Sequence, residues 1–219
     1  MVNGPQMTDA EPGPGLDPER ALVLSYAPPP ARAGLAALLA LDDRLGTIVG
    51  RAREPVIGAM RLTWWADALE KLDATPAPAE PLLRALAADV LPRGVSGAAL
   101  AATVDGWERL LEPDGLDLDA YAAERGGRLF AEAARLLGGE DTRVTRLGEG
   151  WALAGLARER PAARVLATER LAGAWDRAWP RSLRPLGAMG LLARFDLRGT
   201  SPGSPRRVAR LLAHRLTGR

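Results

Sequence analysis

Proline and glycine punctuate this sequence at short intervals, and between them alanine, leucine and arginine dominate. All three favour helix. Valine, isoleucine and threonine are sparse and nowhere alternate with polar residues over a strand length, so no sheet is expected. Asp17-Pro18-Glu19 reads as an N-cap with proline in the first turn, opening a helix to about residue 27. Pro28-Pro29-Pro30 is expected to stop it. A second helix is predicted over about 31–53 and a third from Pro55 to near Asp73, followed by a proline-rich linker at 74–81. Further helices are predicted at about 81–91, 96–112, 117–137, 143–159, 162–178, 183–195 and 205–216, with Ser96 and Asp117 as N-caps and Gly138-Gly139 as a stop. The fold class is therefore all-α, a single helical bundle. Its expected division is a flexible tail at 1–16, a helical domain at 17–197, and a loop with a short basic helix at 198–219.

Side-chain spacing gives the helices faces. Leu35, Leu38, Leu39, Asp42 and Leu45 share one side of the second helix. Met60, Trp64, Ala68 and Leu72, extended by Leu62, Trp65 and Leu69, predict a third helix buried on a broad side.

Charge and cysteine content narrow the function classes. The absence of cysteine excludes disulfides, thiolate metal sites and a cysteine nucleophile. The formal net charge is +2, and apart from Lys71 the positive charge is arginine interleaved with acids. The one dense cluster is Arg206, Arg207, Arg210, Arg215 and Arg219. No zinc, helix-turn-helix or aromatic-interleaved basic motif accompanies it, so no nucleic-acid partner is expected. Residues 1–16 lack the basic and apolar regions of a signal peptide. The longest apolar run, Ala33 to Leu41, is too short to span a bilayer. The expectation is a soluble, cytoplasmic protein, with contact at the inner membrane only peripheral.

Four constellations invite chemistry. Asp42-Asp43 interrupts an alanine-leucine helix. A metal-diphosphate wall needs carboxylates one turn apart, whereas adjacent residues point about 100° apart. Gly46 and Thr47, one turn on, supply no second acid. An edge acid beside a solvated one is the competing reading. The Arg61 to Leu69 stretch spaces Arg61 to stack on Trp65. Tyr121 to Phe130 carries Gly126 and Gly127 in mid-helix, where a neighbouring helix or a ligand must come close. Leu147 to Arg158 carries Gly148, Gly150 and Gly155, which again permit close packing. His214, the single histidine, lies among arginines without metal-ligand spacing and is expected at the surface.

In this order, these blocks resemble the squalene/phytoene synthase family over about residues 22–175. Tyr26, Leu38 to Asp43, and Arg53-Glu54-Pro55…Gly58…Arg61-Leu62-Thr63-Trp64-Trp65 carry the resemblance, with Tyr121 to Leu129 and Leu147 to Arg158 following. The third-helix stretch resembles a bacterial branch that is similar to a mitochondrial complex I assembly factor. The resemblance implies an isoprenoid-synthase bundle in which two aspartate-rich segments hold Mg²⁺ while two prenyl diphosphates condense head to head. Here Asp42 and Asp43 stand where the first segment starts, but its later acid is missing. Gly50 stands where that branch has an aspartate. The second segment should follow Arg158, yet Glu159 is followed by Arg160-Pro161-Ala-Ala-Arg164 with no acid before Glu169. Ala163-Arg164-Val-Leu-Ala-Thr168 replaces the family's Gly-Arg-x-Tyr-Leu-Pro.

Three readings follow. The first is a degenerate family member acting as an accessory, assembly or lipid-binding factor, with an isoprenoid or lipid ligand or a protein partner. The second is an active prenyltransferase using Mg²⁺, with Asp42, Asp43 and Glu159 as weak metal candidates. The third is an unrelated helical binding module. No cofactor is expected outside the second reading. The residual pocket expected from the resemblance is Asp42, Asp43, Arg61, Trp65, Tyr121, Arg125, Arg158 and Arg164. Its mouth should carry carboxylates on one wall, Arg158 or Arg164 on the other, and a net positive or neutral charge.

Overall fold

A computed structural model describes residues 17–112 and 115–219. They form helices and turns with no strand among them, an all-α fold. The tail expected at 1–16 lies outside the described residues.

Proline starts the helices more often than it stops them. Helix α1 (Pro18–Ser25) opens as expected, the Asp17 side chain accepting from the Glu19 N–H at 3.2 Å. The triple proline begins α2 (Pro29–Arg51) two residues earlier than expected, because prolines in a first turn lack only an N–H that would have no helical partner. Helices α3 (Pro55–Lys71) and α4 (Pro81–Asp89) also begin on proline, and the Glu80 carboxylate caps α4 through the Leu83 N–H at 2.9 Å. The single helix expected at 96–112 is split into α5 (Gly97–Ala101) and α6 (Val104–Glu108). At the break the buried Thr103 hydroxyl donates to the Leu100 carbonyl at 2.7 Å, a local bond that competes with the helical ladder.

Next, α7 (Leu118–Tyr121) passes without interruption into a π-helical segment, Ala122–Gly127, and then α8 (Arg128–Leu136). Sequence periodicity gave no sign of the π segment. Helices α9 (Val144–Leu156), α10 (Pro161–Leu171), α11 (Arg184–Leu197) and α12 (Pro205–Thr217) complete the bundle. Helix α10 ends well before residue 178, at a turn where Gly173 takes φ of 72°. The π segment, α8, α10 and α11 surround α9, while α2 packs against α3, α4, α6 and α8.

Two sequence expectations need correction. On α3 the buried side is Gly58, Leu62, Trp65 and Leu69, whereas Met60 and Trp64 are 69% and 51% exposed. Both sets have helical spacing, but α2, α5 and α6 lie along only one of them. Trp65 is covered by the Arg44 guanidinium, 5.8 Å from its ring centre, and Arg61 is exposed.

His214 is fully buried, not at the surface. Its Nε2 lies 3.0 Å from the Arg184 carbonyl oxygen and its Nδ1 3.3 Å from that of Arg219. Burial lowers its pKa from the ordinary 6.5; the two carbonyls oppose that shift and the Arg184 and Arg210 charges add to it. Below about pH 6.5 the unfolded chain therefore binds a proton that the folded chain resists. Stability should be full above that pH and fall as the pH drops beneath it. Melting curves between about pH 7.5 and 5.5 check this, and a His214→Asn variant should lose the slope, since no other histidine titrates there.

The two ends of the described chain meet. Arg207 of α12 is buried, with its Nη2 2.6 Å from Glu19 of α1 and its Nη1 2.6 Å from Asp196 of α11. The other Glu19 oxygen accepts the Gly203 N–H at 2.9 Å.

Candidate functional site

Asp42 occupies the buried side of α2 with Leu35, Leu38 and Leu45, as its spacing predicted, and is 7% exposed. A buried carboxylate has to be paired. Arg125, on the π segment, supplies the pair in a two-pronged grip: Nε to Oδ1 at 3.0 Å and Nη2 to Oδ2 at 2.9 Å. The Trp107 indole N–H adds a bond to Oδ1 at 3.1 Å. Trp107 reaches it because Gly46, one turn along α2, leaves room for the indole; a Cβ there would sit 2.7 Å from the ring.

The Arg125 guanidinium is boxed by aromatics. It lies 3.9 Å from the ring centre of Trp107, 4.9 Å from Trp151 and 5.7 Å from Tyr121, and it donates to the Tyr121 hydroxyl. Burial alone would weaken this charge, but the electrostatic attraction and hydrogen bonds of Asp42 and Tyr121 together outweigh burial and hold the arginine pKa above its ordinary value. Burial also raises the Tyr121 pKa, with Arg125 opposing, so the phenol stays protonated.

Glycine seats the π segment that carries Arg125. A Cβ on Gly126 would fall 2.0 Å from the Gly148 carbonyl oxygen, and one on Gly148 would fall 2.1 Å from that of Gly126. On the opposite side, a Cβ on Gly106 would meet the Arg125 backbone nitrogen at 2.4 Å. The segment is thus pinched, backbone against backbone, between α6 and α9. Mid-helix π turns often mark functional positions; here the turn delivers Arg125 to Asp42.

Asp42 and Arg125 line one end of a cleft of about 260 Å³ between α1, α2, α9 and α11. Val23, Leu39, Met189, Leu192 and Ala193 give it apolar surface, and Trp151 and Gly155 close the side beside Arg125. Five carboxylates line it: Asp17, Glu19, Asp42, Asp43 and Asp196. Three guanidiniums join them: Arg20, Arg125 and Arg207. The mouth is thus acidic on more than one wall, unlike the one-walled, neutral or positive mouth expected. Each acid is internally engaged. Asp17 caps α1, Glu19 and Asp196 hold Arg207, Asp42 holds Arg125, and Asp43 pairs with Arg20 at 2.5 Å. Partial burial raises the Asp43 pKa, opposed by Arg20 and helped by the Asp42 charge.

The structure gathers Asp42, Asp43, Tyr121 and Arg125 from the residues proposed on sequence. Arg61 and Trp65 lie on α3, outside the cleft lining. Arg158 and Glu159 are exposed just beyond α9, and Arg164 is exposed on α10, donating to the Leu197 carbonyl. Trp107 and the α1, α11 and α12 residues were missed. The juxtaposition of Gly106 and Trp107 on one helix with Gly46 on another was the only available signal for the indole.

Mg²⁺, which the family resemblance implies, does not fit these side chains. It needs oxygen ligands in near-octahedral array. Both Asp42 oxygens already accept from Arg125, and among the described residues no group of three or more acidic or histidine side chains converges closely enough to hold a metal. No helix among them is long and apolar enough to cross a membrane.

Among known families, the squalene/phytoene synthase family model matches residues 15–170. No curated protein and no solved structure matches the chain.

Proposed function

The chain belongs to the squalene/phytoene synthase family, and from that premise we propose that it is a member without efficient synthase activity, serving as an accessory or assembly factor whose cleft takes a lipid or isoprenoid group. The observation that carries this reading is the Asp42–Arg125 pair. A synthase must present free carboxylates so that metal ions can draw off diphosphate. Here the one buried acid of the first acidic segment is tied by both oxygens to a guanidinium that three aromatic rings hold in place. Freeing it would strand a buried arginine, at a cost of several kcal/mol. The cleft, at about 260 Å³, is also below the roughly 300–1,000 Å³ of pockets that bury a drug-sized ligand, which is little room for two prenyl chains. Its apolar walls suit part of one lipid chain.

Incubation of the purified protein with farnesyl or geranylgeranyl diphosphate and Mg²⁺ is the direct test. No squalene, phytoene or cyclopropyl intermediate should form above background. Robust turnover that disappears in Asp43→Asn and Glu159→Gln variants would replace this reading with that of a working prenyltransferase.

A further inference from the structure

Helix α11 presents a different chemistry on each of its sides. Met189, Leu192, Ala193 and Asp196 face the cleft; the opposite side, with α12, forms a second groove of about 440 Å³ that lies wholly beyond the family match. Arg194 of α11, Arg198 just past its end, and Arg206 and Arg210 of α12 line this groove over an apolar floor that includes Leu191 and Phe195. No acidic residue lines it. Among the described residues, the ion pairs made by α11 and α12 all run to Arg207, which is buried and lines the first cleft rather than this groove. Four guanidiniums therefore converge with no carboxylate between them. Arg194 is held in position, its guanidinium 4.7 Å from the ring centre of Trp175. Partial burial lowers its pKa, and repulsion from Arg198 and Arg210 adds to the shift.

Clustered like charges raise the folded state's energy and attract a counter-ion. Arginine's planar fork matches phosphate oxygens two at a time. The four-arginine lining and the apolar floor together point to an amphiphilic anion with a compact, doubly charged head. We propose that the α11–α12 groove is a binding site for a phosphomonoester, its phosphate held by Arg194, Arg198, Arg206 and Arg210 and its organic part laid over Leu191 and Phe195. The ester can be a soluble metabolite or a lipid headgroup. The outward face of α12 carries exposed Val208, Leu212 and Leu216 at four-residue steps, an apolar stripe suited to the headgroup layer of a bilayer.

The test uses the full chain and an Arg198→Gln/Arg210→Gln variant, whose altered side chains are exposed and leave the core untouched. Calorimetry with glycerol 3-phosphate probes the soluble source. Co-sedimentation with phosphatidylcholine vesicles containing phosphatidate, against vesicles of equal charge containing phosphatidylserine, probes the lipid source. Binding to glycerol 3-phosphate, weakened roughly tenfold or more in the variant, supports the site with a soluble ligand. Binding to phosphatidate vesicles alone, weakened likewise, supports it with a lipid. Absence of binding in both arms overturns the proposal, as do equal affinities for wild type and variant or, where only vesicles bind, equal affinities for the two vesicle types.

Discussion

Replacing Arg125 by leucine is expected to lower the stability of the fold by about 3–5 kcal/mol, the cost of leaving a buried charge without its partner. The pair is well out of solvent, with side chains 12% and 8% exposed, so screening offers little relief. In a chain of this size the loss corresponds to a fall in melting temperature on the order of 10 °C. Urea unfolding of the wild type and the variant measures it. The double variant Asp42→Leu/Arg125→Leu should recover much of the loss, because an apolar pair of similar bulk avoids the desolvation that the ions suffer. The cycle also bears on function. In Arg125→Leu the Asp42 carboxylate is unpaired, and any latent affinity for Mg²⁺ would show as stabilisation by the ion. A loss below about 1 kcal/mol, the range of exposed ion pairs, would mean that the pair does not organise the site.

The second large effect is expected at Gly126 and Gly148. Alanine at either position places a Cβ about 2 Å from the carbonyl oxygen of the other glycine, a contact that real structures do not tolerate. The obstacle is backbone on a packed helix, not the flexible end of a side chain, so the π segment and α9 must separate. Overpacking of this kind costs about 1–3 kcal/mol in well-studied cores and more when backbone must move, and the upper end is expected here. Arg125 adjoins Gly126 in the chain, so separation also loosens its grip on Asp42. Denaturant midpoints for Gly126→Ala and Gly148→Ala check the prediction, with Gly50→Ala as the control because nothing lies within 4 Å of its Cβ position. Similar midpoints for all three would show that the close approach of the two backbones is not a constraint.

The sequence was most informative where a local rule decides the outcome. Asp17 before Pro18 had to cap a helix, and it does. The glycines at 126 and 148 signalled close approach, though not that they meet each other. Legibility failed where the deciding partner is remote. Met60 and Leu62 have equal claims to a buried face by periodicity; the placement of α2, α5 and α6 selects Leu62. His214 sits among arginines and reads as solvated, yet the carbonyls of Arg184 and Arg219 receive it. Asp42 was legible as a buried-face acid, but its partner lies 83 residues away on a π turn that no side-chain pattern announced. Proline at 28–30 was read as a terminator because its effect on a preceding helix is visible in sequence, while its suitability for the first turn of the next is equally strong.

The junction of Glu19 with Arg207 sets a schedule for synthesis. The carboxylate leaves the ribosome 188 residues before the guanidinium that buries it. At about 5–20 residues per second the interval is on the order of 10–40 s, far longer than a helix needs to form. During that interval α1 has neither Arg207 nor the Gly203 N–H to receive its acid, and the cleft lacks the wall that α11 and α12 provide. Until α11 and α12 have been made, the nascent chain therefore exposes the apolar lining that α1 and α2 bring to the site, and it is in this window that a chaperone would find them open.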